Sequence, residues 1–165
     1  MALKEIRIYP DPVLRKTAVR IDCVSDEIVR LSQDMIETMC LASGAGLAAT
    51  QVGIGLRLIV IDEHMTGDKK PIVLINPEVL LSEAEETVEE GCLSVPKFFE
   101  FVKRPKRVRV RAVDLRDEVI EIDCEDQLAR ALQHEIDHLN GILFIDHLSP
   151  LKREFFKKKF MRPKR

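Results

Sequence analysis

Residues 133–141, Gln133-His134-Glu135-Ile136-Asp137-His138-Leu139-Asn140-Gly141, decide how the chain is read. His134 and His138 stand four apart, and a helix of about 3.6 residues per turn stacks such a pair on one face. Both imidazoles then reach a single ion. Glu135 leans to the same side, so the stretch has the H-E-x-x-H form: two metal-binding histidines and a glutamate that moves protons for an activated water. Upstream, Leu128, Leu132, Ile136 and Leu139 form an apolar stripe at helical spacing beside the histidines. Arg130, Gln133 and Asp137 fall on the other side, and Asn140-Gly141 is a helix stop. The competing reading is a surface helix with two chance histidines.

Working outward, 165 residues suit one domain with a sizeable core. Hydrophobic residues make up 45% and charged residues 33%, as in an ordinary soluble protein, and a net charge of -2 implies no general attraction to nucleic acid. No apolar run is long enough to span a bilayer, and Met1-Ala2-Leu3-Lys4-Glu5-Ile6-Arg7 has no signal-peptide core. A cytoplasmic protein is expected. Cys23, Cys40, Cys92 and Cys124 form no C-x-x-C pair and are expected to be free thiols.

Tyr9-Pro10-Asp11-Pro12 bars regular helix. Ser25 caps a predicted helix over about 26–42, with Ile28, Leu31, Met35 and Met39 on one face and Ser43-Gly44 at its end. Gly44-Ala45-Gly46-Leu47-Ala48-Ala49-Thr50-Gln51 is neither a phosphate loop nor a dinucleotide fingerprint; taken alone it is a helix end and a tight loop. Residues 56–61 and 72–75 are predicted strands, with a turn at Gly67-Asp68 between them. Asn76-Pro77 is expected to break the second strand before Val79-Leu80-Leu81 resumes it. The glutamates between Glu83 and Glu90 read as a solvated face. Arg107 to Ala112 alternates as a half-buried strand and pairs with Val119 to Ile122 in a hairpin across Arg116-Asp117. Ser149-Pro150 opens a final helix whose tail, from Lys152 on, holds eight Lys or Arg against one Glu.

A catalytic metal site needs a third protein ligand and an open position. His147 and Glu154 are weak candidates, because one follows a helix stop at an unsuitable spacing and the other sits on a separate helix. Cys92, in Glu89-Glu90-Gly91-Cys92-Leu93-Ser94, is better placed, since a thiolate is a strong ligand for zinc or ferrous iron. Composition alone also allows a buried inert thiol there.

Three segments together resemble the peptide deformylase family: Gly44 to Gln51, Glu90-Gly91-Cys92-Leu93-Ser94, and Gln133 to Gly141. Their order and spacing match as well, and Tyr9-Pro10-Asp11-Pro12-Val13-Leu14-Arg15 is similar to the family's opening. The chain departs from the pattern at Ala45, where a larger branched residue is usual, and at Phe98-Phe99, where polar or basic residues are common. The resemblance implies removal of the formyl group from the N-terminal methionine of new polypeptides, with formate as a product. It implies Cys92, His134 and His138 as metal ligands and Glu135 as proton carrier. Gln51, through its amide, and Leu93, through its backbone N–H, would stabilise the oxyanion. Gly46 would admit the substrate backbone, and Glu90 and Asp137 would orient the ligands. Val88, Leu128 and Ala131 are apolar candidates for the methionine pocket, with plain core as the other reading.

The expected fold is α+β, with antiparallel sheets packed around a central metal-binding helix and a C-terminal helix, in one domain over 1–165. The implied ion is Fe2+, for which Ni2+, Co2+ or Zn2+ substitute. The implied partners are N-formylmethionyl nascent peptides and, through the basic C-terminal helix, the ribosome. A monomer and no membrane contact are expected. An HExxH-type metalloprotease is the alternative, and it would cleave internal peptide bonds.

Overall fold

The computed structural model describes residues 2–67 and 70–160. Helix α3, Asp126–Leu139, is the element on which the others are assembled. One face carries Ala129, Leu132, Ile136 and Leu139, which pack against Ile59, Ile61, Leu74, Val108 and Val110 of a sheet. That sheet has five antiparallel strands in the order β1-β2-β3-β6-β7: Gly46–Ala48, Leu58–Ile61, Ile72–Glu83, Arg107–Val113 and Val119–Glu125. Its other face, with Leu47, Leu58, Val60, Val73 and Ile75, packs on Ile28, Met35 and Met39 of α1, Asp26–Leu41. Layers on both sides explain why β2 is a continuous apolar run without alternation, since successive side chains of a strand point to opposite faces. As expected, Ser25 caps α1, its side chain accepting from the Ile28 N–H at 3.4 Å.

A second, two-stranded sheet lies beside this sandwich: β4, Glu86–Cys92, and β5, Val95–Arg104. The one-turn helix α2 is Glu63–Thr66, and α4 is Pro150–Phe160. Between hairpin and α4, Phe98, Phe144, Phe156 and Tyr9 form a third apolar cluster with Leu14, Val95 and Val102. The N-terminal segment laces the parts together: Arg7 N–H donates to Gln51 O, Tyr9 N–H to Ser94 O, and Ala18 N–H to Leu139 O. Antiparallel sheets around the histidine helix, with a C-terminal helix, are thus the observed α+β architecture.

Four local expectations are corrected. Asn76-Pro77 does not break its strand. β3 runs on through a register shift between Ile75 and Glu78, where Asn76, at φ 51°, turns its side-chain amide onto both backbone polar groups of Ile21. Gly46–Ala48 is not loop but a buried edge strand paired with β2. The acidic stretch is strand β4, in which Glu86 and Glu90 turn inward. Gln133 is buried, not solvated, because its amide bonds Pro105 O and Ala129 O at 2.9 Å each. The turn proposed at Gly67-Asp68 falls partly outside the described residues; Gly67 itself closes α2 at φ 75°. Among the described residues no helix is long and apolar enough to cross a membrane.

Candidate metal and active site

Two elements meet at the site. His134 and His138 project from α3 with their Nε2 atoms 3.3 Å apart. Cys92, the last residue of β4, brings Sγ to 3.3 Å from His138 Nε2. All three donor atoms lie within 4.8 Å of one another. The tautomer of His134 follows from its other nitrogen: Nδ1 sits 2.7 Å from Glu90 Oε1, a carboxylate that can only accept, so Nδ1 carries the proton. Nε2 is therefore the nitrogen turned to His138 and Cys92. Burial opposes a charge on this ring, but Cys92 and Glu90 outweigh it and raise His134 well above the usual imidazole range, so a bound cation would take the place of the Nε2 proton. Burial, followed by the neighbouring His134 and Arg104, pushes His138 well below the usual imidazole range and keeps its ring neutral. One soft sulfur and two imidazole nitrogens converging on one point suit a divalent transition metal, and the residues fit such an ion.

Behind the ligands runs a chain of charges. Arg104, 3% exposed, donates to Glu90 Oε2 and Oε1 at 2.6 and 2.8 Å and to Asp137 Oδ2 at 3.0 Å. His147 Nε2 closes on the same Asp137 oxygen at 2.8 Å. Burial alone would raise the Glu90 carboxyl, but its bonds to His134 and Arg104 outweigh this and hold it at about 2. A permanently ionised Glu90 keeps the His134 ring fixed. Glu135 is different: burial, ahead of every neighbouring charge, pushes it up to about 7, and its Oε2 is buried without a hydrogen-bond partner.

The small-residue segment encloses this centre from the other side. A Cβ added at Gly46 would stand 2.8 Å from both Cγ and Oε1 of Glu135, so the glycine makes room for that carboxylate. Gly44 makes room in the same way for the Leu93 side chain, at 2.6 Å. Gln51 is 1% exposed. Its Oε1 accepts from the Ala48 N–H at 2.9 Å, which turns the NH2 toward Ser94 Oγ at 3.1 Å and Cys92 Sγ at 3.7 Å. Leu93 follows Cys92 in the β4–β5 turn.

A cavity of about 550 Å3 opens from this centre. Gly46, Gln51, Cys92, Leu93, Ala131 and Glu135 are among its lining residues. Val88 and Leu128 are not: Leu128 packs against the main core, and Val88 pairs with Val102 within the hairpin. Met65, for which the sequence offered no signal, stands in the wall, and so does Phe99, one of the positions where the chain departs from the family pattern. Arg104 was also missed. Its signal was available, since it shares the strand phase of Phe98 and the buried Val102, a position where an arginine needs acidic partners. His147 meets Asp137 and not the three donor atoms, and Glu154 is exposed on α4.

Comparison with known proteins agrees with this geometry. The family described as polypeptide deformylase matches residues 3–154. A peptide deformylase of Thermodesulfovibrio yellowstonii is 53% identical over 161 residues, covering 97% of this chain and 98% of that one. A crystal structure of a peptide deformylase from Legionella pneumophila is 45% identical and superposes with a TM-score of 0.87, covering 99% and 100% of the two chains. A Met-Ala-Ser-bound class I type b peptide deformylase from Acinetobacter baumannii is 31% identical with a TM-score of 0.83, over 89% and 99% of the two chains. The chain belongs to the polypeptide deformylase family, metal-dependent hydrolases that remove the N-formyl group from newly made polypeptides.

Proposed function

We propose that Cys92, His134 and His138 hold one divalent ion, natively Fe2+, for which Ni2+, Co2+ or Zn2+ substitute, and that Glu135 carries the protons of deformylation. The observation behind this reading is the convergence of one sulfur and two imidazole nitrogens beside a buried, partly unpartnered carboxylate. The bound ion supplies Lewis-acid activation of water and of the formyl oxygen. Glu135 Oε2 accepts the water's proton as the water oxygen bonds to the formyl carbon. The Gln51 NH2 and the Leu93 N–H donate to the oxygen that gains charge. As the C–N bond breaks, the proton on Glu135 passes to the leaving amine, and formate and a free N-terminus result. Glu90, ionised and bonded to His134 Nδ1, orients that ligand, with Arg104 and Asp137 behind it.

The cavity is of ordinary small-ligand size, within about 300–1,000 Å3. Ala131 offers an apolar wall for the methionine side chain, and Gly46 keeps the backbone low where substrate and Glu135 meet. The Acinetobacter relative that binds Met-Ala-Ser supports a methionyl chain as the occupant. We read the whole of 1–165 as one deformylase domain, cytoplasmic and monomeric. The basic tail is a contact for ribosomal RNA phosphates. Arg153, Lys157 and Lys158 are exposed on α4, whereas Lys152 is tied to Glu100 at 3.0 Å and Lys159 lies 5.9 Å from the Phe98 ring centroid. The other basic residues of the tail, Arg162, Lys164 and Arg165, lie outside the described residues.

The test loads apo-protein separately with Fe2+, Ni2+ and Zn2+ and follows formate release from formyl-Met-Ala-Ser in air and under argon. The iron and nickel forms are expected to be fast and zinc slow. Only the iron form should decay in air, because its ion or Cys92 oxidises. A zinc form faster than both would overturn the metal assignment. Ribosome co-sedimentation that survives Arg153, Lys157 and Lys158→Ala, or that ignores added salt, would remove the RNA contact.

A further inference from the structure

Adjacent residues Phe98 and Phe99 do different work. Phe98 turns inward and packs its ring against Phe144, Phe156 and Phe160 at centroid distances of 6.0, 4.8 and 5.9 Å. Phe99 turns outward, 64% exposed, and stands in the wall of the active-site cavity. Its ring lies across the backbone at Gly91, where a Cβ would come within 2.5 Å of it. That glycine precedes Cys92, so an exposed aromatic face is held one residue from a metal ligand. Phe101, 52% exposed, follows two residues on along the same strand face, leading away from the site. An aromatic side chain left this exposed adds little to the fold, and core packing does not account for it.

We infer that Phe99, with Phe101 beyond it, forms an apolar track that selects an apolar or aromatic side chain at one of the two residues following the formylmethionine, the one whose side chain turns to this face. The inference rests on the deformylase reading and deepens it. Alternate side chains of an extended strand are about 7 Å apart. An extended substrate leaving the cavity repeats that spacing, so one of the two residues after the formylmethionine faces Phe99 and the next side chain on that face, two residues on, meets Phe101. The rim offers no competing charge preference. Lys97 and Glu89 are of opposite sign, and Arg130 is paired with Glu86 at 2.6 Å.

The test uses two peptide series, formyl-Met-Xaa-Ser and formyl-Met-Ser-Xaa, with Xaa as Phe, Leu, Ser or Asp, on metal-loaded protein. In one of the series the wild type is expected to favour Phe over Ser by about 3- to 10-fold in kcat/KM, the size of one aromatic contact, carried mainly by KM. Phe99→Ala should bring that ratio within about twofold of unity, and Phe99→Leu should keep a preference for Leu. Calorimetry with the deformylated peptides should show the same ranking in Kd without turnover. Flat series in the wild type, or a preference that survives Phe99→Ala, overturns the inference. So does a wild type that self-associates through this patch and loses that association in Phe99→Ala with peptide ranking unchanged. Formate release from none of the peptides would instead overturn the deformylase reading itself, and this one with it.

Discussion

Replacing Gly46 with alanine puts a methyl group where Glu135 stands. The new Cβ would lie 2.8 Å from Glu135 Cγ and 2.8 Å from Oε1. Carbon atoms prefer about 3.5–4.0 Å, so one partner must retreat by about 0.7–1.2 Å. Strand β1 is fully buried and paired to β2, which leaves the carboxylate as the group that moves. A displacement of that size at a proton-transferring group costs about 100-fold in rate. Overpacking costs about 1–3 kcal/mol of stability, a fall of roughly 2–12 °C in Tm for a chain of this size. Cys92, His134 and His138 are untouched, so one equivalent of metal should remain. The assay is formate release at saturating formyl-Met-Ala-Ser, alongside metal content by mass spectrometry and thermal unfolding. A kcat within twofold of wild type would show that Glu135 does not need this space. A kcat loss that tracks loss of metal would show that the glycine serves the ligands instead.

Cys92→Ala should abolish stoichiometric metal and activity together, and full metal content in that variant would refute its role as a ligand. Glu135→Gln should keep the metal and lose about 10²–10⁴-fold in kcat, the usual share of a proton carrier; retained activity would exclude it from proton transfer. Arg104→Met strands Glu90 and Asp137 and should cost about 3–5 kcal/mol in urea unfolding, the scale of a broken buried ion pair; a loss under about 1 kcal/mol would mean water replaces the guanidinium. Asp146 is held below its ordinary value, burial opposing and the Arg15 bond and the Leu143 N–H prevailing. Its contribution to stability is therefore present above the unfolded carboxyl's pKa and lost as pH falls through the folded one. Asp146→Asn should flatten the acid limb of the unfolding midpoint, and an unchanged limb would refute the linkage.

By itself the sequence determined the helix and the two histidines on it, because a four-residue spacing and an apolar stripe are local properties of one helix. It determined α1 and the β6–β7 hairpin for the same reason: cap, period and turn lie close together in the chain. It also carried Cys92 and Gln51, through segments that resemble a family. The β4–β5 hairpin was illegible because its inner face is charged. Glu86 and Glu90 hide the alternation that a strand normally betrays, and they face inward only because Arg130 and Arg104 arrive from elsewhere. Arg104, fourteen residues from Glu90, acquires its meaning when two separate elements close around it. Gly46 read as a close approach, but only the folded chain revealed that Glu135 is what approaches. Val88, Leu128 and Phe99 have the same physical reason. Apolar residues are alike in sequence, and packing alone decides which of them fill a core and which line a cavity.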